Sequence, residues 1–470
     1  MSYNKATVME TKELKEKLFY EAPHAGVKMT AEEIDEADSF CEGYMSFLDA
    51  AKTEREAVEQ AVELAEMNGF SPYGPGRIYS AGSKIYYNNR GKAIILAVTG
   101  ESGLTDGARI IAAHIDSPRL DLRPNPLYEQ DGEALFKTHY YGGIKKYQWT
   151  AIPLALHGVI VKKNGTTVKV RVGEDDGDPK FVISDLLPHL AAEQMKKTMA
   201  EGIAGEDLNV IVGSRPFDSS DEAQNVKLNV LNLLFQKYGI TEADFLSAEL
   251  EIVPAFKACD IGFDRSLIGA YGHDDRVCAY PALMALLDTE LPRHTTVCVL
   301  TDKEEIGSEG NTGLNSAYMA YFIKALAAAE GLDGEAVLSA SKCLSADVNA
   351  AYDPNFPGVF EKNNTAYINK GVVITKYTGA RGKGGSSDAS AEFLAEVRRQ
   401  LDEENVVWQI GELGKLDAGG GGTVARFVAS LNVEVVDAGV PVLSMHAPFE
   451  VVSKLDVYSA YRAFYTFYQN

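Results

Sequence analysis

Apolar and polar positions along the chain fall into two alternating patterns. Residues 53–69 begin with Thr53 and carry Glu56 three positions later, the reciprocal pair of a capping box. Apolar Ala57, Val58, Ala61, Val62 and Ala65 follow at helical spacing, and Gly69 comes just past them. This spacing predicts an amphipathic helix. Residues 93–98 and 109–113 are instead continuous apolar runs bounded by glycine and polar residues, the signature of strands buried on both faces. From residue 251 onward, apolar runs at 296–300, 433–436 and 440–443 alternate with helical stretches at 277–287, 316–329 and 457–468. The pattern predicts an α/β fold, a mixed β-sheet flanked by helices, whose functional residues gather where strands end and loops converge.

Between these regions the texture changes. Residues 158–172 alternate about Asn164-Gly165, a dipeptide suited to a type I′ hairpin turn. An acidic loop at 174–178 and a helical stretch at 185–199 follow, before strand and helix alternation resumes. The division expected is therefore a main domain formed by residues 1–122 and 250–470, split by an inserted β-rich domain at 123–249.

A chain of 470 residues with 46% apolar content exceeds the roughly 250–300 residues at which one core stops growing, in keeping with two domains. Its 45 basic residues against 67 acidic ones leave a net charge of -22, which excludes nucleic acid and anionic membrane as natural partners. Residues 1–17 lack the apolar core of a signal peptide, and no stretch approaches the ~20 apolar residues of a membrane span, so a cytoplasmic location is expected. Cys41, Cys259, Cys278, Cys298 and Cys343 form no CxxC pair and read as small buried hydrophobes.

The chemistry-bearing residues follow apolar runs. His114-Ile115-Asp116 places an imidazole at a strand end with a carboxylate two residues on, able to orient it. Asp274-Asp275 precedes a helix, where an aspartate is otherwise an N-cap. Glu304-Glu305 lies just after the run at 296–300, and adjacent buried acids repel unless a cation or proton relieves them. Asp347 and His446 again follow apolar segments. Two histidines with several carboxylates suit a pair of divalent ions, imidazole favouring zinc, cobalt or manganese over calcium. Such a pair activates water for hydrolysis. The glycine-rich stretches at 382–387 and 419–422 contain no GxxxxGK[ST], so they are expected to line a substrate pocket rather than bind nucleotide, with Lys376, Arg381 or Lys383 available to a substrate carboxylate.

In this order, His114-x-Asp116, Asp274-Asp275, Asp302 to Ser308, Ser345-Ala346-Asp347 and Met445-His446 resemble the aspartyl aminopeptidase family of dinuclear zinc peptidases, over nearly the whole chain. The resemblance implies that His114 and Asp347 hold one metal, Glu305 and His446 the other, that Asp274 bridges them, and that Glu304 is the general base. It further implies that His189, in the inserted domain, reaches a neighbouring subunit's site. The run after it, Ala191-Ala192-Glu193, departs from the polar sequence of better-known members. Short peptides with a free N-terminus would be the substrates, with N-terminal Asp or Glu the preference the family name implies. The implied assembly is a homo-oligomer built from dimers, up to a dodecamer. Carboxypeptidase or deacylase activity at the same metal pair, or a metal-free scaffold keeping only the fold, are the alternatives.

Overall fold

The computed structural model describes residues 11–220, 222–379 and 381–470; the first ten residues of the polar N-terminal stretch lie outside it. Nine strands form the larger sheet, in the order Ser71–Pro72, Lys84–Asn89, Ala93–Val98, Thr295–Thr301, Ala108–His114, Lys342–Ser345, Glu434–Gly439, Val372–Thr375 and Trp408–Ile410. Thr295–Thr301, Ala108–His114, Lys342–Ser345 and Glu434–Gly439 run parallel to one another. Their carboxyl ends consequently share one edge of the sheet.

Burial explains the apolar runs. Every residue of Ala93–Val98 and of Ala108–His114 is buried. Successive side chains leave a strand on opposite faces, so Ile94, Leu96, Ile111 and Ala113 enter one core while Ile95, Ala97, Ile110 and Ala112 enter the other. Helices Ala31–Ala50, Glu54–Met67, His273–Leu287 and Lys454–Gln469 cover the first face. Tyr318–Ala329, Gly334–Ala340 and Ala425–Ala429 cover the second. The Thr53–Glu56 capping box forms as the spacing predicts.

A second, six-stranded antiparallel sheet lies between large-sheet strands in sequence, ordered Thr167–Val172, Leu154–Val161, Ala248–Pro254, Arg119–Gln130, Glu133–Tyr141 and Asn209–Gly213. It has its own core, centred on Leu120, Phe136, Trp149, Ile160 and Ile252, with helix Asn225–Tyr238 packed alongside. The chain enters this sheet only a few residues after His114 and leaves it shortly before Asp274, which sets its root beside the edge where the parallel strands end.

Three local expectations are corrected. Residues 185–199 contain no α-helix, only a 3-10 turn at Gln194–Lys196. Leu186, Leu187, Leu190, Met195 and Met199 are exposed, so the apolar spacing has no core within this chain to bury against, and Pro188 lacks a helical donor. The Asn164-Gly165 connection is not a type I′ turn, which needs positive φ at both central residues. Only Gly165, at φ 84°, has it, and the loop closes through the Lys162 N–H on the Thr166 carbonyl at 2.8 Å. Cys259 is exposed, unlike the other four cysteines. Among the described residues no helix is long and apolar enough to cross a membrane.

Candidate metal centre

His114 is the last residue of its strand, the Glu304–Ile306 turn follows the adjacent parallel strand, and Asp347 follows Lys342–Ser345. Parallel pairing therefore brings these groups to one place. Asp274 joins them from the start of His273–Leu287, where its φ of -78° and ψ of 105° keep the chain extended. It does not act as a helix cap; that position belongs to Gly272. His446 arrives on the loop after Pro441–Val442, at φ 65°.

The Asp274 carboxylate stands between the two histidines. His114 Nε2 lies 3.1 Å from Asp274 Oδ1 and 3.8 Å from Asp347 Oδ1, while His446 Nε2 lies 3.2 Å from Asp274 Oδ2 and 3.6 Å from Glu305 Oε2. Ligand atoms of His114, Asp274 and Asp347 fall within 4.8 Å of one another, as do those of Asp274, Glu305 and His446. Asp275 belongs to neither group; its Oδ2 accepts from the His114 N–H at 3.3 Å.

Both imidazoles are oriented from behind. His114 Nδ1 lies 3.0 Å from the Asp116 carbonyl and His446 Nδ1 lies 2.8 Å from the Gly143 carbonyl. A carbonyl only accepts, so each Nδ1 carries a hydrogen and each Nε2 faces the carboxylates. Nitrogen and oxygen lone pairs would then oppose one another unless a proton or a cation lies between them. Asp116 Oδ1 and Oδ2 also accept from the Glu304 and Glu305 N–H groups at 3.1 and 3.2 Å, and Glu450 accepts from the His446 N–H at 2.7 Å and the Asp274 N–H at 3.1 Å.

The surroundings of each group set the proton side of that alternative. Burial opposes charge on both histidines, yet hydrogen bonds to Asp116 and Asp274 raise His114 well above its ordinary value, and Asp274 with Glu305 pushes His446 up to about 10. Burial, then the negative charge of Asp274, raises Glu305. For Asp347 the corresponding causes are burial and Asp275. Glu304 is pushed up to about 7 by burial, with Asp116 and Asp274 adding to it against the pull of His114.

A cation fits the same place. Donors about 2.0–2.2 Å from one zinc ion are roughly 3–4 Å from each other, the separation of these atoms, and the mixture of imidazole and carboxylate is a zinc donor set. Glu305 Oε1 and Asp275 Oδ1 are buried without a hydrogen-bond partner, the condition that a bound ion would relieve.

The site opens into a cavity of about 560 Å³, which is also lined by Gly420, Gly421, Gly422, Thr423 and Arg426. The second glycine stretch thus lines the cavity, whereas the 382–387 stretch is absent from its wall. Nor are the three expected cations placed there. Lys376 and Lys383 both pair with Asp388, at 2.8 and 2.9 Å, and the guanidinium on the wall is that of Arg426, which sequence reasoning missed. His189 is exposed in the stretch after Phe181 and is not among the groups gathered at the cavity of its own chain.

A mixed α/β sheet with two imidazoles and several carboxylates gathered beside the ends of its parallel strands has the donor set of a metallohydrolase. Residues 47–468 match the Aminopeptidase I zinc metalloprotease (M18) model, and the chain belongs to that family. A probable M18 family aminopeptidase 1 of Clostridium acetobutylicum is 48% identical, over 96% of this chain and 99% of its own length. The crystal structure of an M18 aminopeptidase from Thermotoga maritima superposes with a TM-score of 0.91 at 43% identity, covering 96% of this chain and 100% of that one. The S. cerevisiae mApe1 dodecamer, 22% identical, shares the fold at a TM-score of 0.76 over 93% and 97% of the two chains. This protein is accordingly a zinc metallopeptidase of the aminopeptidase type.

Proposed function

We propose that the chain removes N-terminal residues from short peptides at a site for two divalent ions, most directly zinc, held by His114 and Asp347 on one side, Glu305 and His446 on the other, and Asp274 between them. The supporting observation is that the two oxygens of Asp274 face different histidines, 3.1 and 3.2 Å away. When bound, such ions supply Lewis acidity for the scissile carbonyl and lower the pKa of water.

The chain's own residues supply the rest. Glu304 stands outside both ligand groups, beside the cavity, with a carboxyl pushed up to about 7. A carboxylate in that place can take a proton from the attacking water and return it to the departing amine. Asp116 holds His114 in the tautomer that points Nε2 inward. Arg426 forms no ion pair among the described residues and lines the cavity, which favours an N-terminal Asp or Glu side chain beside it.

Assembly completes the reading: the 123–249 insert is an oligomerisation unit, its exposed Leu186, Leu187, Leu190 and Met195 covered by a second copy in a dimer-based, cytoplasmic oligomer of up to twelve chains. His189 on the same stretch would then approach a neighbouring site. A solution mass equal to one 51.0 kDa chain would end this part of the proposal.

The deciding experiment is Glu304→Gln, assayed on unblocked and N-acetylated peptides with metal content measured in parallel. Full metal occupancy with kcat down by about 10²–10⁴ supports the base role. Unchanged turnover refutes it, and preferred cleavage of the acetylated peptides would refute the aminopeptidase chemistry itself.

A further inference from the structure

We infer that residues 141–143, the end of strand Glu133–Tyr141 and the two glycines after it, form a positioning element that sets both histidines of the metal centre and so couples the six-stranded sheet to the site. The inference rests on the two-metal reading above.

Tyr141 acts on the first histidine through Asp116. Its hydroxyl donates to Asp116 Oδ2 at 2.8 Å, and burial beside that carboxylate raises the phenol far above its usual range, so it stays a donor. The same carboxylate accepts from the Glu304 and Glu305 N–H groups and lies 3.3 Å from His114 Nδ1. One phenol therefore fixes a carboxylate that in turn fixes a ligand and the turn carrying Glu304 and Glu305. Tyr141 is itself clamped: the Arg119 guanidinium sits 3.9 Å above its ring and is held by Asp121 at 2.8 Å and Glu251 at 3.3 Å.

The glycines act on the second histidine directly. The Gly143 carbonyl accepts the Nδ1 hydrogen of His446 at 2.8 Å. Gly142 lies at φ 76°, and a Cβ there would come within 3.1 Å of Glu305 Oε2 and 3.3 Å of Glu305 Cβ. A side chain at 142 would be strained in its backbone and would push on a ligand. Three consecutive residues from the second sheet thus reach both ligand groups. Partners that orient a metal ligand are each worth about 10–100-fold in affinity or activity.

The test is zinc binding by chelator competition on the full-length protein, with thermal melting as the check on folding. His114→Ala and His446→Ala first identify which binding step belongs to which group. Tyr141→Phe keeps the ring under Arg119 and removes one hydroxyl; it should weaken both steps, the His114 step about 10–100-fold and the His446 step as well, because the same Asp116 oxygen holds the Glu305 N–H. Gly142→Ala should weaken the His446 step, to which Glu305 belongs, and leave the His114 step within about twofold. In an Asp116→Ala background, Tyr141→Phe should have no additional effect, since its route is gone. Wild-type affinities in both single variants, a Tyr141→Phe effect that spares the His114 step, equal weakening of both steps by Gly142→Ala, or a full additive effect without Asp116 would each overturn the inference. Should Gly142→Ala fail to fold, Tyr141→Phe alone decides it. A wild-type chain that takes up no zinc would overturn the two-metal reading together with it.

Discussion

Two buried clusters of charge lie close together in this molecule, and they are built on opposite plans. At the seam between helix Glu54–Met67 and the six-stranded sheet, anions and cations are matched. Arg119 meets Glu54, Asp121 and Glu251; Lys92 meets Glu54 and Glu249; Lys52 and Arg171 meet Glu174; and His157 lies between Glu56 and Glu174. At the metal centre, Asp274, Asp275, Glu304, Glu305, Asp347 and Glu450 have only His114 and His446, with no lysine or arginine in ion-pair contact among the described residues. Burial raises most carboxylates in both places. In the seam the cations reverse this for Glu54, Glu174 and Glu249, though not for Glu251, whereas at the metal centre the two histidines reverse it for Asp274 alone, and Asp275, Glu304, Glu305, Asp347 and Glu450 remain raised. A closed cluster supplies its own counter-charge. An open one recruits it, and that is the physical difference between an internal fastening and a cation site.

The sharpest way to break the comparison is to neutralise the carboxylate shared by both ligand groups. Asp274→Asn keeps the shape but removes the charge, and we expect loss of both ions with kcat reduced on the order of 10³-fold or more, equivalent to about 4 kcal/mol of barrier. Metal analysis alongside kinetics checks this. A variant that keeps two ions and a tenth of the activity would show that the bridging role lies elsewhere.

The same operation in the seam should give the converse result. Glu174→Gln leaves Lys52 and His157 facing a neutral amide in a place where Lys52 and Glu174 side chains are 2% and 4% exposed. Breaking a buried pair on one side costs about 3–5 kcal/mol. Denaturant unfolding should show that loss, while zinc content and kcat per folded molecule stay as in the wild type. A loss of zinc would mean that the two clusters are not separable.

A smaller effect is expected from the cation at the cavity wall. Arg426→Ala should lower kcat/KM for N-terminal Glu relative to Leu about 10–100-fold, as charged hydrogen bonds are worth roughly 1.5–3 kcal/mol. An unchanged ratio would remove Arg426 from specificity and leave the N-terminal preference to other groups of the wall.

How much of this was legible depends on how local each cause is. The strand at 93–98 could be read because a sheet covered on both faces needs an unbroken apolar run, and the Thr53–Glu56 box because its hydrogen bonds close within three residues. Glu304-Glu305 and His114 stood out because functional groups follow buried strands. Tyr141, Gly142 and Gly143 did not, since nothing in a Tyr-Gly-Gly triplet says that its neighbours will be Asp116, Glu305 and His446. Likewise, Lys376 and Lys383 looked free in sequence because their partner, Asp388, is chosen by the fold. The 185–199 stretch misled for a related reason: its apolar spacing is real, but the surface that would bury it is not part of the same chain's core.

The mildest test concerns the histidine of the seam. His157 is fully buried, with Nδ1 2.8 Å from Glu56 and Nε2 3.1 Å from Glu174. Burial disfavours its charge, but the two carboxylates outweigh that and raise the folded pKa above the ordinary 6.5. A raised folded pKa means the native state holds the proton more tightly than the unfolded chain does. The resulting stability is therefore complete below about pH 6.5 and drains away as pH rises through the folded value, at no more than about 1.4 kcal/mol per pH unit for a single proton. The metal centre titrates too, so the measurement is a difference: unfolding free energies of wild type and His157→Gln, both saturated with zinc, between pH 6 and pH 9. The wild-type advantage should be largest at pH 6 and shrink toward pH 9. Parallel profiles would show that His157 is neutral in the folded protein, and that the seam, like the metal centre, carries more negative charge than its own cations balance.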